Sequence, residues 1–275
     1  MNTILCIGAH PDDNEINVGG LATRLAARGD SVRFVSVTNG NKGHFAPEYV
    51  ADPQKLVARR QAEAEAAAAR IGASYETLNV PDGEVYVDSW ATEAMVRCLR
   101  RHRPDLVLFN RPLDYHRDHR YTSQLVLDAA YLLTVPMMCP EVPHLERMPA
   151  LAYWYDDFRD LQPFRADVLI GIDDVFETKV DMVAEHASQF FEWLPFNAGV
   201  LHEVPPDAEG RRARVAANLR RRGEHRRKMA SAARLQPSGE FALAEAFQLC
   251  EYGRKPTDDE MRDLFALGAG LKAEK

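Results

Sequence analysis

The chain has 275 residues, of which 46% are hydrophobic and 27% are charged, and its formal net charge at pH 7 is -7. This composition is typical of a globular protein and excludes collagen-like, low-complexity and wholly disordered chains. The acidic balance argues against a protein that binds nucleic acid through bulk charge. No run of about 18 apolar residues occurs, so we expect no membrane-spanning helix.

Four cysteines lie far apart and form no CxxC pair: Cys6, Cys98, Cys139 and Cys250. We therefore expect reduced thiols rather than a disulfide framework or a zinc ribbon. The first residues enter a strand-like run without a basic segment. This start predicts no secretion signal and, with the unpaired thiols, a cytoplasmic protein.

Strand and helix patterns alternate along the first two thirds of the chain. The apolar run 3–8 predicts a buried strand, and Gly19-Gly20 leads into a helix that ends at Gly29. Further strands are predicted at 31–38, 75–80, 105–110, 150–155 and 166–172. Further helices are predicted at 53–71, 89–102 (with Ser89 as N-cap), 120–133, 173–191 and 208–235.

This alternation predicts an α/β protein, with a Rossmann-like three-layer α/β/α architecture and a mostly parallel sheet. After residue 205 the pattern changes to an Arg- and Ala-rich helix, followed by a mixed polar tail. We expect one domain at 1–205 and a C-terminal helical extension at 206–275 that packs on it.

Polar, ligand-type side chains follow each of the first four predicted strands. In open parallel sheets, ligands bind outside the carboxyl ends of the strands. The first of these loops lacks the spaced glycines of a dinucleotide site, and Asp12 and Asp13 would repel a pyrophosphate. The two carboxylates suit a cation directly. The four loops read AHPDDNE at 9–15, NGNKGH at 39–44, PDGE at 81–84 and RPLDYHRDH at 111–119.

The spacing of His10 and Asp13 matches that of His116 and His119. One imidazole and one carboxylate from the first loop, with one imidazole from the fourth, would make a three-ligand metal site with positions open for water and substrate. The remaining carboxylate suits a general base, and the remaining imidazole suits an acid or oxyanion stabiliser. The alternatives are turn or N-cap roles for the two aspartates and a solvated loop at 116–119.

Three motifs together resemble the PIG-L/LmbE-like family of zinc-dependent N-deacetylases, over roughly residues 3–190: AHPDDNEINVGG, the R-x-x-E of Arg60 and Glu63, and DYHRDHR. That family includes N-acetylglucosaminyl-phosphatidylinositol deacetylase and the deacetylases of mycothiol and bacillithiol synthesis. The resemblance implies that zinc binds to His10, Asp13 and His119. It also implies Asp12 as the general base and His116 as the acid or oxyanion stabiliser. Such a ligand set also accepts iron, cobalt or manganese.

The resemblance further implies a substrate-anchoring role for Arg60, buttressed by Glu63. Many family members have Glu where this chain has Asn14, and we interpret Glu15 as a variant of that motif. His186 begins an H-x-S-Q element similar to one near the pocket of relatives. Other candidates to line the pocket, for which turn chemistry is the alternative, are Asn39, Asn41, Lys42, His44, Asp82, Asp114 and a sugar-stacking Tyr115.

The resemblance implies a zinc hydrolase that removes an acetyl group from an N-acetylglucosamine-type sugar. Its partner would be this small-molecule substrate, and not nucleic acid. The sequence leaves open whether the chain forms a homo-oligomer. One alternative is a deacetylase of another N-acylated secondary metabolite. Another is a non-catalytic anion-binding protein that uses the nine Lys and Arg residues of 211–228. For that segment we favour a solvated helix paired with acidic neighbours. The binding hypothesis predicts that Asp12→Ala has no effect on function.

Overall fold

The computed structural model describes residues 1–160 and 162–268, and these form a seven-stranded sheet with helices on both faces. The strands are β1 (Thr3–Gly8), β2 (Ser31–Thr38), β3 (Ser74–Val80), β4 (Leu106–Phe109), β5 (Ala150–Trp154), β6 (Val168–Gly171) and β7 (Ala244–Leu249). The α-helices are α1 (Asp13–Arg28), α2 (Pro47–Ala51), α3 (Pro53–Ala69), α4 (Ser89–His102), α5 (Arg117–Leu132), α6 (Phe176–Ala184), α7 (Leu194–Asn197), α8 (Ala208–Arg227) and α9 (Asp258–Leu264). Short 3₁₀ turns at 173–175, 201–203 and 230–232 and a π-helical turn at 188–193 complete the chain.

The order across the sheet is β3-β2-β1-β4-β5-β7-β6. The strand pairs β3–β2, β2–β1, β1–β4 and β4–β5 are parallel, and β7 runs antiparallel to β5 and β6. From β1, the chain builds outward through β2 and β3 on one side and through β4 and β5 on the other. The direction of winding therefore reverses between β1 and β4, which creates a crevice at their carboxyl ends.

Side chains alternate along β1 because successive residues of a strand face opposite sides. Ile4 and Cys6 join a core with helices α1, α3, α6, α8 and α9. Leu5 and Ile7 join a second core with α4 and α5 on the other face. The two cores confirm the predicted three-layer α/β/α architecture.

The segment after residue 205 differs from the expected helical extension. Helix α8 begins at 208 as predicted but ends at 227 and not at 235, and 244–249 is a strand inside the sheet, between β5 and β6. The sequence of this strand, AEAFQL, has no β-branched residue and contains good helix formers, so its local pattern gave no strand signal. Residues 269–275 of the predicted 206–275 extension lie outside the described residues.

A buried ion pair ties β7 into the molecule. The carboxylate of Glu245 accepts from Lys179 Nζ at 2.5 Å and from the backbone N–H groups of Gly20 and Leu21 at 2.8 and 2.9 Å. Gly20 permits this approach, since a Cβ there would lie 2.5 Å from Ile172 Cγ2. The second glycine of the Gly19-Gly20 pair thus serves helix packing.

Helix boundaries differ at a few places. The N-cap of α4 is Asp88, whose side chain accepts from Ala91 N at 2.8 Å, and not the predicted Ser89. The predicted helix 173–191 divides into a 3₁₀ turn, α6 and a π-helical turn.

The basic residues of α8 mostly meet partners within the protein. Arg212 pairs with Asp181 and Glu177, and Arg214 lies 3.7 Å from Glu203. The guanidinium groups of Arg211, Arg220, Arg226 and Arg227 lie over the rings of Phe191, Phe176, Tyr155 and Phe241. These contacts favour a helix that is paired internally over an exposed anion-binding patch.

Candidate metal centre and active site

The carboxyl ends of β1 and β4 bring the first and fourth polar loops together. A turn from Ala9 to Asp12 joins β1 to α1, and 110–116 joins β4 to α5. This is the reversal point of the sheet, where the fold leaves an open crevice. The rings of His10, His116 and His119 meet there, with nitrogen atoms within 4.8 Å of one another.

Asp13 is held by the backbone of its own loop. Its Oδ2 accepts hydrogen bonds from Ala9 N at 2.8 Å and from His10 N at 2.9 Å. Gly8 makes room for this turn, because a Cβ at that position would lie 2.6 Å from Asp13 Cβ. The carboxylate is thereby fixed against the two imidazoles.

His10, Asp13 and His119 present three donor groups to one point. His10 Nδ1 lies 3.2 Å from His119 Nε2, and these nitrogens lie 3.8 and 3.6 Å from the two carboxylate oxygens of Asp13. Tetrahedral zinc, with bonds of roughly 2.0–2.2 Å to nitrogen and oxygen, separates such ligand atoms by about 3.3–3.6 Å. The three side chains therefore fit a zinc ion.

Electrostatics in this cluster match a cation site. Burial acts to raise the pKa of Asp13, but His119, His10 and two backbone N–H donors outweigh it and hold that pKa below its usual value. Burial acts to lower the pKa of His119, but Asp13 and Asp114 outweigh it and raise that pKa to about 9. Negative charge thus dominates where the two rings meet.

Two further carboxylates contact the imidazoles of His119 and His10 on the side away from the cluster and orient them. Asp114 Oδ2 lies 2.9 Å from His119 Nδ1, and Asp118 Oδ2 lies 3.3 Å from His10 Nε2. Each contact engages the ring nitrogen that points away from the cluster, which leaves the other nitrogen for a metal. The sequence predicts a place in the substrate pocket for Asp114 and gives no separate prediction for Asp118. The position of Asp118 between the two histidines of DYHRDHR was the only signal for it in the sequence.

Asp118 is fully buried, and its carboxylate also accepts from Gly83 N at 2.6 Å. Burial acts to raise its pKa, but the hydrogen bonds from His10 and Gly83 hold the pKa below its usual value. The third polar loop therefore supports the site indirectly, since it fixes the residue that holds His10.

His116 is the N-cap of α5. Its Nδ1 accepts from Asp118 N at 3.2 Å. A ring nitrogen that accepts a hydrogen bond carries no proton, so the neutral ring holds its proton on Nε2. Burial, together with His10 and His119, lowers the pKa of His116. The helix cap thus fixes a neutral imidazole with a donor at Nε2.

Asp12 precedes α1 but makes no side-chain bond to cap it. Its Oδ1 instead lies 3.4 Å from Arg60 Nη2. Arg60, on α3, also approaches Asp82 Oδ2 at 3.5 Å and the carbonyl oxygen of Gly40 at 3.4 Å. Gly40 has a φ of 77°, and a Cβ there would lie 2.6 Å from Arg60 Cδ.

The predicted pocket residues Asn39, Asn41 and Asp82 brace the second and third loops against each other. Asn41 Oδ1 accepts from Asp82 N at 2.9 Å, and the Asp82 carboxylate accepts from Gly40 N at 2.9 Å. Asn39 donates to Asn79 Oδ1 at 2.9 Å. These contacts engage the side chain of Asn39, the amide oxygen of Asn41 and the carboxylate of Asp82 within the protein.

Two expectations drawn from the resemblance need correction. His186 is 0% exposed and lies behind Glu15, with Nε2 at 3.3 Å from Oε2, so it has no surface for the expected substrate contact. Glu63 does not buttress Arg60: it accepts from Arg59 Nε at 3.0 Å and from Ser188 Oγ at 2.5 Å. Both residues instead fix α1 and α3 against the segment that follows α6.

Asn14 also has an internal partner, since its amide donates to the carbonyl oxygen of Val35 at 3.1 Å. Lys42 and His44 pair with Glu84 and Glu192. Tyr115 is 78% exposed, and its ring centroid lies 5.9 Å from that of His116. An exposed aromatic ring therefore stands at the rim of the cluster.

The family model described as PIG-L: GlcNAc-PI de-N-acetylase matches residues 5–130, the part of the chain that holds all of the motifs at β1 and β4. The chain carries a PIG-L family domain. In this PIG-L domain the matched residues include every side chain of the histidine cluster and its carboxylates.

Relatives of the chain include diacetylchitobiose deacetylase of Thermococcus kodakarensis, 28% identical over 208 residues, which are 70% of this chain and 74% of that protein. They also include 1D-myo-inositol 2-acetamido-2-deoxy-alpha-D-glucopyranoside deacetylase of Kineococcus radiotolerans, 37% identical over 31% of this chain and 25% of that protein. The corresponding Streptomyces griseus protein is 29% identical over 55% of this chain and 54% of its own length. The chain thus spans about half or less of the two inositol-type relatives.

Solved structures share the fold. N,N'-diacetylchitobiose deacetylase of Pyrococcus horikoshii has a TM-score of 0.71 at 21% identity, over 94% of this chain and 88% of its own. A 4-carboxy-2-hydroxymuconate hydratase of Pseudomonas putida has a TM-score of 0.69 at 19% identity, over 94% of this chain and 99% of its own. Because the same fold occurs in a hydratase and a deacetylase, the reaction must be argued from the site.

In the part of the chain that the structure describes, no helix has the length and apolar character needed to cross a membrane.

Proposed function

We propose that the chain is a zinc-dependent hydrolase that removes the acetyl group from an N-acetylglucosamine-type amine. The observation that carries this proposal is the convergence of His10, Asp13 and His119, whose ring nitrogens and carboxylate oxygens lie 3.2–3.8 Å apart. Asp12 lies on the same loop as His10 and Asp13. The substrate class is supported by the names of the relatives, which act on diacetylchitobiose and on an acetamido-glucopyranoside of inositol. Another divalent transition metal fits the same donors.

A zinc ion held by His10, Asp13 and His119 would polarise the acetamide carbonyl and lower the pKa of a water molecule at the site. Asp12 takes the proton from that water. Its carboxylate is free for this role because it does not cap α1. Arg60 lies at one of its oxygens and holds the carboxylate in place.

His116 acts on the carbonyl oxygen. The helix-cap bond at Nδ1 leaves a proton on Nε2, and this donor suits the negative charge that develops on the oxygen in the transition state. A role as oxyanion stabiliser agrees better with this tautomer than a role as a cationic acid. The proton taken by Asp12 then goes to the departing sugar amine.

Arg60 is 2% exposed, and this burial changes the role that the resemblance implied for it. With its guanidinium directed at Asp12, Asp82 and Gly40, it is a positioning residue for the base. Tyr115 is better placed to meet a sugar face, because its ring is exposed at the rim.

The test is release of free amine from a panel of N-acetylated sugars, which contains N-acetylglucosamine, diacetylchitobiose and glycosides of N-acetylglucosamine. We expect turnover of at least one of them, loss of turnover with a chelator, and recovery when zinc is restored. His119→Ala should lose the zinc of the histidine cluster and its turnover. A metal-loaded protein that releases no amine from any of these substrates would contradict the proposal.

A further inference from the structure

A second cluster of metal-ligating side chains lies away from the catalytic histidines. It consists of Glu76 on β3 and of Cys98 and His102 on α4. Among the described residues, this cluster and the catalytic one are the groups of three or more His, Cys, Asp or Glu whose ligand atoms lie within 4.8 Å of one another. The sheet order places β3 two strands from β1, so the second cluster is separate from the site at β1 and β4.

The spacing of the two helical residues allows both side chains to bind one metal ion. Cys98 and His102 are four residues apart, so their side chains lie on one face of α4. His102 is the last residue of this helix, where the partial negative charge of the free carbonyl groups favours a cation. Glu76 faces both side chains from the neighbouring strand.

The three donor atoms already converge. Glu76 Oε1 lies 3.2 Å from Cys98 Sγ and 2.9 Å from His102 Nε2. Tetrahedral zinc, with bonds of roughly 2.0–2.3 Å to nitrogen, oxygen and sulfur, needs ligand atoms about 3.3–3.7 Å apart. The two distances from Glu76 lie within a few tenths of an ångström of this range, and all three ligand atoms lie within 4.8 Å of one another. The Glu76 side chain is 35% exposed, which leaves access for a water as the fourth ligand.

The charge of the cluster suits a cation as well. Hydrogen bonds from His102 and Cys98 lower the pKa of Glu76 to about 2, even though its partial burial opposes this. The carboxylate is therefore ionised at neutral pH. Arg101 Nη2 lies 3.4 Å from the same oxygen, but this side chain is 51% exposed and can turn into solvent.

We propose that Glu76, Cys98 and His102 form a second site for a thiophilic divalent cation, zinc above all, which clamps α4 to β3. The cation replaces the proton of the Cys98 thiol and the proton of His102 Nε2, and both protons go to solvent. The rival account is a hydrogen-bonded cluster that only ties the helix to the strand. The two accounts differ in one property, a bond from the metal to sulfur.

The experiment is a titration of the metal-stripped full chain with Co²⁺, followed by optical absorption. The catalytic cluster contains no sulfur, so a sulfur-to-cobalt charge-transfer band comes from a cysteine outside it, and Cys98→Ser tests whether that cysteine is Cys98. We expect two equivalents and this band in the wild type. Cys98→Ser should bind one equivalent without the band, whereas His119→Ala should bind one equivalent and keep it.

Matched variants exclude loss of folding as the cause. Cys250→Ser removes a thiol from another part of the sheet and should keep the band. Glu76→Gln preserves the shape of the cluster and should weaken the second equivalent, whereas Arg101→Gln removes a nearby positive charge and should strengthen it. A wild type that binds one equivalent without the band, or a band that survives Cys98→Ser, would overturn the proposal.

Discussion

Asp118 and His10 come from opposite sides of the sheet reversal, and their side chains meet at 3.3 Å behind the histidine cluster. Asp118 is 0% exposed and takes two further hydrogen bonds, from the backbone N–H groups of Gly83 and Val85. It therefore links three of the four polar loops. Through His10 Nε2 it presents Nδ1 of that ring to a cation.

Asp118→Asn should weaken zinc binding by about 10- to 100-fold, because the amide no longer fixes the ring and tautomer of His10 as the carboxylate does. The measurement is competition with a chelator of known affinity. Asp128→Asn is the matched control, since Asp128 lies on the same helix, is exposed and bonds to Gln124. Equal zinc affinity in both variants would remove Asp118 from its positioning role.

Arg60→Gln should lower kcat by about 10- to 100-fold with a smaller change in KM, because Asp12 loses the cation that holds it in position. Arg60→Lys retains a charge and should recover part of the rate. The control is Arg70→Gln, at an exposed arginine that ends the same helix and pairs with Glu185. A rise in KM at unchanged kcat would instead indicate direct substrate anchoring by Arg60.

Arg100 is a buried structural hub on α4. Its guanidinium donates to backbone carbonyl oxygens of Leu132, Leu133, Val135, Met138, Cys139 and Val142. Arg100→Met should lower the free energy of unfolding by at least about 3 kcal/mol, since these buried acceptors lose their donors together.

The measurement for Arg100 is chemical denaturation, with Arg101→Gln as the control. Arg101 is half-exposed, so its loss should change the free energy of unfolding by less than about 1 kcal/mol. Equal stability of the two variants would show that the 132–142 segment does not depend on the Arg100 hydrogen bonds.

Much of the fold could be predicted from the sequence, because most of the parallel strands are short, buried, β-branched or apolar runs between loops. Strands β1 and β2 match their predicted bounds, and the adjacency of β1 and β4 follows from the winding of such sheets. Strand β7 could not be predicted, since its Ala- and Glu-containing sequence becomes a strand only through pairing with β5 and β6.

The candidate site, like the fold, could be predicted only in part from the sequence. Motif spacing and the position of the loops at one edge predict that a carboxylate and imidazoles of the first and fourth loops meet, whereas the choice of Asp13 and His119 as ligands depends on the family resemblance. The pairing of Asp118 with His10 depends on a contact between distant loops, which no local pattern reports. The burial of His186 likewise depends on how the segment after α6 packs against Glu15.

In the proposed mechanism, His10, Asp13 and His119 bind zinc, whereas Asp12, on the same loop as His10 and Asp13, is the base. The most direct test measures zinc content and amine release for Asp12→Asn, with His119→Ala as the reference that lacks the zinc of the histidine cluster. The account predicts that Asp12→Asn retains one zinc at the catalytic cluster while its turnover falls by about 10²- to 10⁴-fold, because only the base is lost. Full turnover in the zinc-loaded Asp12→Asn protein would contradict it.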